Sequence, residues 1–223
     1  MIRIGPLQLT HDGTHIPSDG SHIADGAPDP SVFFVRHGSP SSESEMVVYI
    51  EGKKWTACEV FILTEITKKF QNLRFEFIVR FDGGIVDLNV FEHDLKVTIA
   101  GQTYNLSSQT VLTRNGMVQT SDPTQGWNDS GIQIGPITPF YQYRYTMDYS
   151  IDTAKKTCGY VAIDVEGQTW QFGDKQKNLP GYAEKPTPWA DGVIAQFQWG
   201  LKDFGDRSGA VGMVIDEVYV TWS

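Results

Sequence analysis

The chain has 223 residues, 40% of them apolar and 12% aromatic, and a formal net charge of −9. That length and apolar share suit one all-β domain with a sizeable core, and the charge excludes a general nucleic-acid binder, which needs a basic stripe to displace counterions. It also weighs against a membrane surface, whereas an anionic glycan stays open because a local arginine cluster can outweigh distant carboxylates.

Residues 1–30 are turn-rich: Asp12-Gly13, Asp19-Gly20 and Asp25-Gly26 recur with His11, His15 and His22 between them. Asp-Gly pairs mark turns, so this stretch predicts an ordered arm packed on a single β-sandwich domain of residues 31–223. His11 and His15 would share a metal only on a helix, which the flanking turns oppose. Residues 1–10 lack the apolar core of a signal peptide and no run approaches a membrane span. The chain is therefore expected to be either intracellular or a mature form without its leader.

Strand-like runs follow at residues 32–35, 46–51, 57–63, 74–82, 85–91, 96–100 and 102–106. Asp82-Gly83-Gly84 reads as a hairpin turn, and the lone Gly101 leaves residues 96–106 readable as one bent strand. Residues 107–129 read as a long polar binding or capping loop, with strand resuming over 131–137. The last third holds the strongest signal: residues 140–151, 158–172, 193–201 and 211–222 alternate between two faces, which means β-strand. Between them, residues 173–191 form a second loop with Pro180, Pro186 and Pro188. Cys58 and Cys158 fall in strand-like runs, where two buried thiols or one disulfide both fit; without a secretory signal free thiols are the expectation. No Cys/His spacing matches a zinc site. About a dozen strands at this turn spacing predict an all-β, two-sheet antiparallel jelly-roll sandwich.

Alternation sorts candidate side chains by face. Phe75, Phe77, Val79 and Phe81 read as core, opposite Arg74, Glu76, Arg80 and Asp82. Tyr141, Tyr143, Tyr145, Met147 and Tyr149 share one face, opposite Gln142, Arg144, Thr146 and Asp148. Gln196 and Gln198 stand opposite Val193, Ala195, Phe197, Trp199 and Leu201. Were these strands neighbours in one sheet, Arg80, Arg144, Gln196 and Gln198 would form a polar floor suited to sugar hydroxyls and carboxylates. An ordinary solvated sheet face with cross-strand ion pairs explains the same residues. Trp127, alone in a polar stretch, and Trp189, in the proline-rich loop, are candidates for stacking on a sugar ring.

Tyr143-Arg144-Tyr145-Thr146-Met147-Asp148-Tyr149, a turn at residues 152–157, and Val161-Ala162-Ile163-Asp164-Val165-Glu166-Gly167 form a strand–turn–strand pattern. It resembles a hairpin of concanavalin A-like lectin/glucanase domains, and Ile215-Asp216-Glu217-Val218-Tyr219-Val220 is similar to their closing strand. The resemblance covers about the last 85 residues and implies a sandwich whose concave face binds or cleaves glycans. The Glu-x-Asp-x-x-Glu motif of that superfamily's retaining glucanases is missing, and Asp216 and Glu217 face opposite ways on one strand. The Arg-x-Glu-Leu and Gln-Ile-His motifs of alginate lyases are missing too; Arg74-Phe75-Glu76-Phe77 and Gln133-Ile134-Gly135 echo them only in part.

The expectation is a carbohydrate-active protein with a glycan on its concave face, and β-elimination on a uronate polymer as the candidate reaction. Arg80, Arg144 or Gln133 would neutralise the uronate, and His93 or Tyr143 would take the C5 proton. Trp127, Gln133, Gln142, Gln196, Gln198 and Trp189 would hold the substrate. A position at a strand end also reads, more plainly, as an exposed histidine at His93. The alternatives are a non-catalytic recognition module, and a small-molecule cyclase or isomerase with a deep pocket lined by Tyr and Trp. No cofactor is required; a structural Ca²⁺ on carboxylates such as Asp25, Asp29 or Asp216 is the only metal expectation.

Overall fold

Phe, Val, Ile and Tyr alternating with polar residues leave this chain one economical packing, two sheets burying their apolar faces against each other. The computed structural model describes residues 2–4, 32–39, 42–52, 57–65, 72–122, 125–181, 192–202 and 209–222. Its strands are β1 Ile2–Ile4, β2 Val32–Ser39, β3 Ser42–Gly52, β4 Ala57–Glu65 and β5 Asn72–Phe81. Next come β6 Leu88–Ile99, β7 Gln102–Val111, β8 Met117–Asp122, β9 Gly126–Gln133 and β10 Gln142–Asp152. The last are β11 Thr157–Val165, β12 Gln168–Gln171, β13 Leu179–Pro180, β14 Gly192–Leu201 and β15 Gly209–Trp222.

A nine-stranded sheet runs β12-β11-β10-β5-β15-β3-β2, with β1 beside β15 and β13 beside β11. A six-stranded sheet runs β4-β14-β6-β7-β8-β9. All strand pairs are antiparallel, and the chain passes repeatedly between the sheets, as the jelly-roll expectation required.

The core lies between the sheets. Phe75, Phe77, Val79 and Phe81 of β5 and Tyr145, Met147 and Tyr149 of β10 meet Phe91 and Leu95 of β6 and Phe197 and Trp199 of β14, all buried. Phe77 stacks on Tyr145 at 5.1 Å between ring centroids and meets Phe197 edge-on at 5.0 Å. Such pairs contribute about 1 kcal/mol each beyond the area they bury. Cys158 is a buried free thiol, and burial pushes it up to about 12, so it is an inert core group.

Several local expectations are corrected. Residues 96–106 are not one bent strand: Ala100 and Gly101 both have positive φ (50° and 77°), closing a tight turn between β6 and β7. Asp82-Gly83-Gly84 is not a hairpin turn. Asp82 accepts a hydrogen bond from the Gly84 N–H at 2.8 Å and starts a 3-10 turn, Gly83–Asp87, that carries the chain from one sheet to the other. Gly84 is needed there, because a Cβ would stand 2.1 Å from the Ala210 carbonyl oxygen of β15. The expected loop at residues 107–129 is mostly strand, completing β7 and forming β8 and much of β9. Its residues are polar on both faces, which erases the period-2 hydropathy signal. Strand ends at Gln133 rather than 137, and the run 158–172 is broken by a turn at Glu166-Gly167, both with positive φ. Of the arm expected over residues 1–30, β1 pairs with β15 and the rest lies outside the described residues.

Candidate functional site

The inner and outer faces of the six-stranded sheet follow from its register. Phe91, His93, Leu95 and Val97 of β6 are buried in the core, so Glu92, Asp94 and Lys96 point outward. Residues directly opposite across a pair share a face. Gln196 and Gln198 of β14 stand opposite Asp94 and Glu92. Asn105, Ser107 and Gln109 of β7 stand opposite Lys96, Asp94 and Glu92. Gln119 of β8 stands opposite Gln109, and Asp129 and Trp127 of β9 stand opposite Gln119 and Ser121.

These side chains form a polar ribbon, hydrogen-bonded side chain to side chain from β7 to β9. Arg114 grips Asp129 with both terminal nitrogens, at 2.9 and 2.6 Å. Gln119 donates to Asp129 at 2.6 Å, and Gln109 donates to Gln119 at 2.6 Å. The direction is dictated by chemistry: an ionised carboxylate only accepts, so each Gln must offer Nε2 toward β9 and Oε1 toward β6. The Arg114 fork and the Gln119 amide hold the Asp129 carboxyl below its usual range.

The centre of the ribbon is unusual for an outer face. Asp94, Ser107, Gln109 and Gln196 are all buried, Asp94 to 1% exposure. Asp94 accepts a hydrogen bond from the Ser108 N–H at 3.1 Å, and Ser107 donates to Asn105 at 2.8 Å. Burial first, then the neighbouring Glu92 charge, pushes the Asp94 carboxyl well above its usual range; burial raises Glu92 as well.

A cleft of about 390 Å³ opens at the β8–β9 edge, where Thr120, Asp122 and Asn128, which point away from the ribbon, line it together with Lys175, Gln176 and Leu179. Trp127 is 39% exposed at the β9 edge of the ribbon.

The structure divides the residues singled out from sequence. Gln196, Gln198, Gln133 and Trp127 share the outer face of the six-stranded sheet. Arg80, Gln142 and Arg144 lie on the outer face of the other sheet, exposed, with Gln142 opposite Arg80. The expected four-residue floor therefore does not assemble: its arginines and its glutamines are on opposite sides of the sandwich. Alternation along a strand reports a face, not which sheet the strand joins.

His93 is not an exposed strand-end histidine. It is fully buried among Phe77, Phe91 and Tyr145, and burial pushes it down to about 3. Ser108 Oγ donates to the His93 carbonyl oxygen and meets Nδ1, both at 3.0 Å, while Thr110 Oγ1 lies 3.4 Å from Nε2. Tyr143 sits on the inner side of β10, half-buried against the core, and its hydroxyl accepts from the Thr138 N–H at 2.8 Å. Trp189, Asp25 and Asp29 lie outside the described residues, and of Asp216 only the strand position is described. Among the described residues no cluster of three His, Cys, Asp or Glu is placed to hold a metal.

Sequence reasoning missed Glu92, Asp94, Gln109, Gln119 and Asp129. The signal was present: Glu92, Asp94 and Lys96 alternate with Phe91, His93, Leu95 and Val97. Three ionisable residues in a row suggested a break where the strand continues.

No family model and no curated protein matches the chain. Solved structures do. An alginate lyase from a Chlorella virus is 9% identical, with a TM-score of 0.52, over 89% of this chain and 92% of that one. The marine PL-14 alginate lyase from Aplysia kurodai is 9% identical, with a TM-score of 0.53, over 87% and 92%. The carbohydrate recognition domain of Emp47p is 9% identical, with a TM-score of 0.48, over 91% and 93%. With its two antiparallel sheets and jelly-roll connections, this chain has the concanavalin A-like lectin/glucanase fold.

Proposed function

We propose that this protein binds a carbohydrate chain across the outer face of its six-stranded sheet. The observation that carries this reading is the ribbon of amide, hydroxyl and carboxyl side chains crossing β14, β6, β7, β8 and β9. Burying polar groups costs free energy even when they pair with each other, so a sheet does not keep such a face for stability alone. Amides that both donate and accept match the paired hydroxyls of a sugar, and Trp127 offers a flat surface to a sugar's C–H face. From β14 to β9 is about 19 Å, room for several rings. The fold shared with two alginate lyases supports a glycan as the ligand.

Cleavage by β-elimination needs a neutraliser for the uronate carboxylate and a Tyr or His to take the C5 proton. Among the described residues this face offers Lys96 and Arg114, the latter gripping Asp129, and no strand position on it is Tyr or His. Recognition is therefore our first reading, and uronate cleavage an outcome of the test. The cleft at the β8–β9 edge, lined by Thr, Asp, Asn and Lys, is unlike the Tyr/Trp pocket of a small-molecule cyclase.

The test is retardation on polysaccharide-containing native gels. Gln109→Ala, Gln198→Ala and Trp127→Ala should each weaken binding about tenfold, and Arg80→Ala with Arg144→Ala should leave it unchanged. Binding lost only with the arginines would move the site to the other sheet. A rise in ultraviolet absorbance from an unsaturated product on a uronate polymer would establish a lyase.

A further inference from the structure

Ser108 of β7, Thr120 of β8 and Asn128 of β9 stand directly opposite one another on the inner face of the six-stranded sheet. The inner face of a sandwich is ordinarily apolar. Here Thr120 and Asn128 border the cleft of about 390 Å³ instead, together with Lys175, Gln176 and Leu179. The wall that Gln176 provides is held in place. Its N–H donates to the Gly173 carbonyl at 3.2 Å and closes the 3-10 turn Asp174–Gln176. The chain after that turn lies against Gly159 of β11, where a Cβ would stand 3.0 Å from the Lys177 Cα, and Leu179 pairs with Cys158. Thr120 is 2% exposed and Gln176 5%, and neither side chain has a hydrogen-bond partner among the described residues. Withdrawing a hydroxyl and an amide from bulk water without pairing them costs free energy. Both line the cleft, so whatever occupies it is what can pair them.

We propose that this cleft is a second binding site, separate from the outer face, for an uncharged sugar unit: a free mono- or disaccharide, or the end of a glycan chain. Its volume lies at the small end of the roughly 300–1,000 Å³ of small-molecule sites, which suits about one or two sugar rings. The Thr120 hydroxyl and the Gln125, Asn128 and Gln176 amides each donate and accept, as a polyhydroxyl ligand requires. The charges on the lining are balanced: Lys175 offsets Asp122, and Asp129 is already gripped by Arg114. An anion or a cation therefore gains nothing by entering. Among the described residues the lining holds one apolar side chain, Leu179, and no aromatic one, so a flat apolar ligand finds no surface there. Only Asp129 is shared with the outer ribbon, so the two sites can fail separately.

The experiment follows the side-chain amide signals of Asn128 and Gln176 by proton–nitrogen NMR of the labelled full chain. Glucose, mannose, cellobiose, mannobiose and the matching tetrasaccharides are titrated in, with glucuronate and glucosamine as charged controls. At least one neutral sugar should move both signals to saturation. Thr120→Val and Gln176→Leu, read from the Asn128 signal, should each weaken that sugar about tenfold. Each replacement removes a polar group without a protein partner, so the thermal midpoint of the sugar-free chain should hold or rise. A tetrasaccharide that binds as tightly as its disaccharide identifies a chain end as the ligand, and affinity confined to the short sugars identifies a free sugar. Signals that stay put with every neutral sugar, or move only with a charged control, overturn the proposal. So do variants that bind as tightly as wild type, and variants with a lowered midpoint, because the hydroxyl and the amide would then serve the fold.

Discussion

The two outer faces of this sandwich are built from similar residue types and behave differently. On the nine-stranded sheet, the exposed Arg74 holds the half-buried Asp148 at 2.7 Å, and Arg80 and Arg144 are exposed nearby. On the six-stranded sheet, Asp94, Ser107, Gln109 and Gln196 are removed from water, and Gln109 is linked through Gln119 to Asp129 across β7, β8 and β9. Exposed ion pairs stabilise by little and cost little, so the first face needs no purpose beyond solubility. The second face carries buried polar groups whose dehydration a well-packed apolar surface would avoid, and that asymmetry is why we place the ligand there.

The comparison can be broken most severely from the core beneath the second face. His93 has an ordinary pKa near 6.5 when unfolded and about 3 when folded. Its neutral form is common to both states above pH 6.5, so its full contribution is present there. Below that, the unfolded chain takes up a proton the folded chain refuses, and stability falls by about 1.4 kcal/mol per pH unit. Urea unfolding should therefore show a loss on the order of 3 kcal/mol between pH 6.5 and pH 4, and His93→Leu should flatten it. An equal slope in the variant would show that this histidine is not the acid-sensitive group.

Glu92 and Asp94 give the opposite sign one residue away. Their folded values are raised, so their stability contribution is complete below the unfolded carboxylate range and is lost as pH climbs through it. The Glu92→Gln/Asp94→Asn variant should accordingly be more stable than wild type at pH 8, by about 2 kcal/mol, and no more stable at pH 4. Equal urea midpoints at pH 8 would remove the claim that this face is kept at a cost in stability.

On the other face, Arg74→Ala should lower stability by less than about 1 kcal/mol, and less again in high salt. A loss as large as that expected for His93 would erase the contrast between the faces. The smallest effect belongs to the turn behind both: Ala100 has φ of 50°, where a residue with Cβ is strained. Ala100→Asn makes the preferred Asn-Gly pair and should raise the thermal midpoint slightly, by the equivalent of about 0.5 kcal/mol.

Much of the fold was legible from the chain. The alternation of Phe75 to Phe81, of Tyr145 to Ile151 and of Val193 to Leu201 named the core side chains, because a strand's two faces are set by a local geometry of period two. The hairpin of β10 and β11 was readable for the same reason, with Asp152 accepting from the Ala154 and Lys155 N–H groups at its turn. The site was legible only in pieces. Gln196 and Gln198 were read as lying opposite the core face, but so were Arg80 and Arg144, and nothing local distinguishes the two groups; Gln133 and Trp127 were singled out without a face. Which sheet each strand joins is decided by pairings between residues that can lie more than a hundred positions apart, such as Phe197 with His93. The same pairings buried His93 and brought Glu92, Asp94, Gln109 and Asp129 onto one surface. The sequence by itself determined that this protein is a sandwich and which side of each strand is wet. Tertiary structure alone decided which wet side became a site, because that depends on which strands are neighbours and how far each face is withdrawn from water.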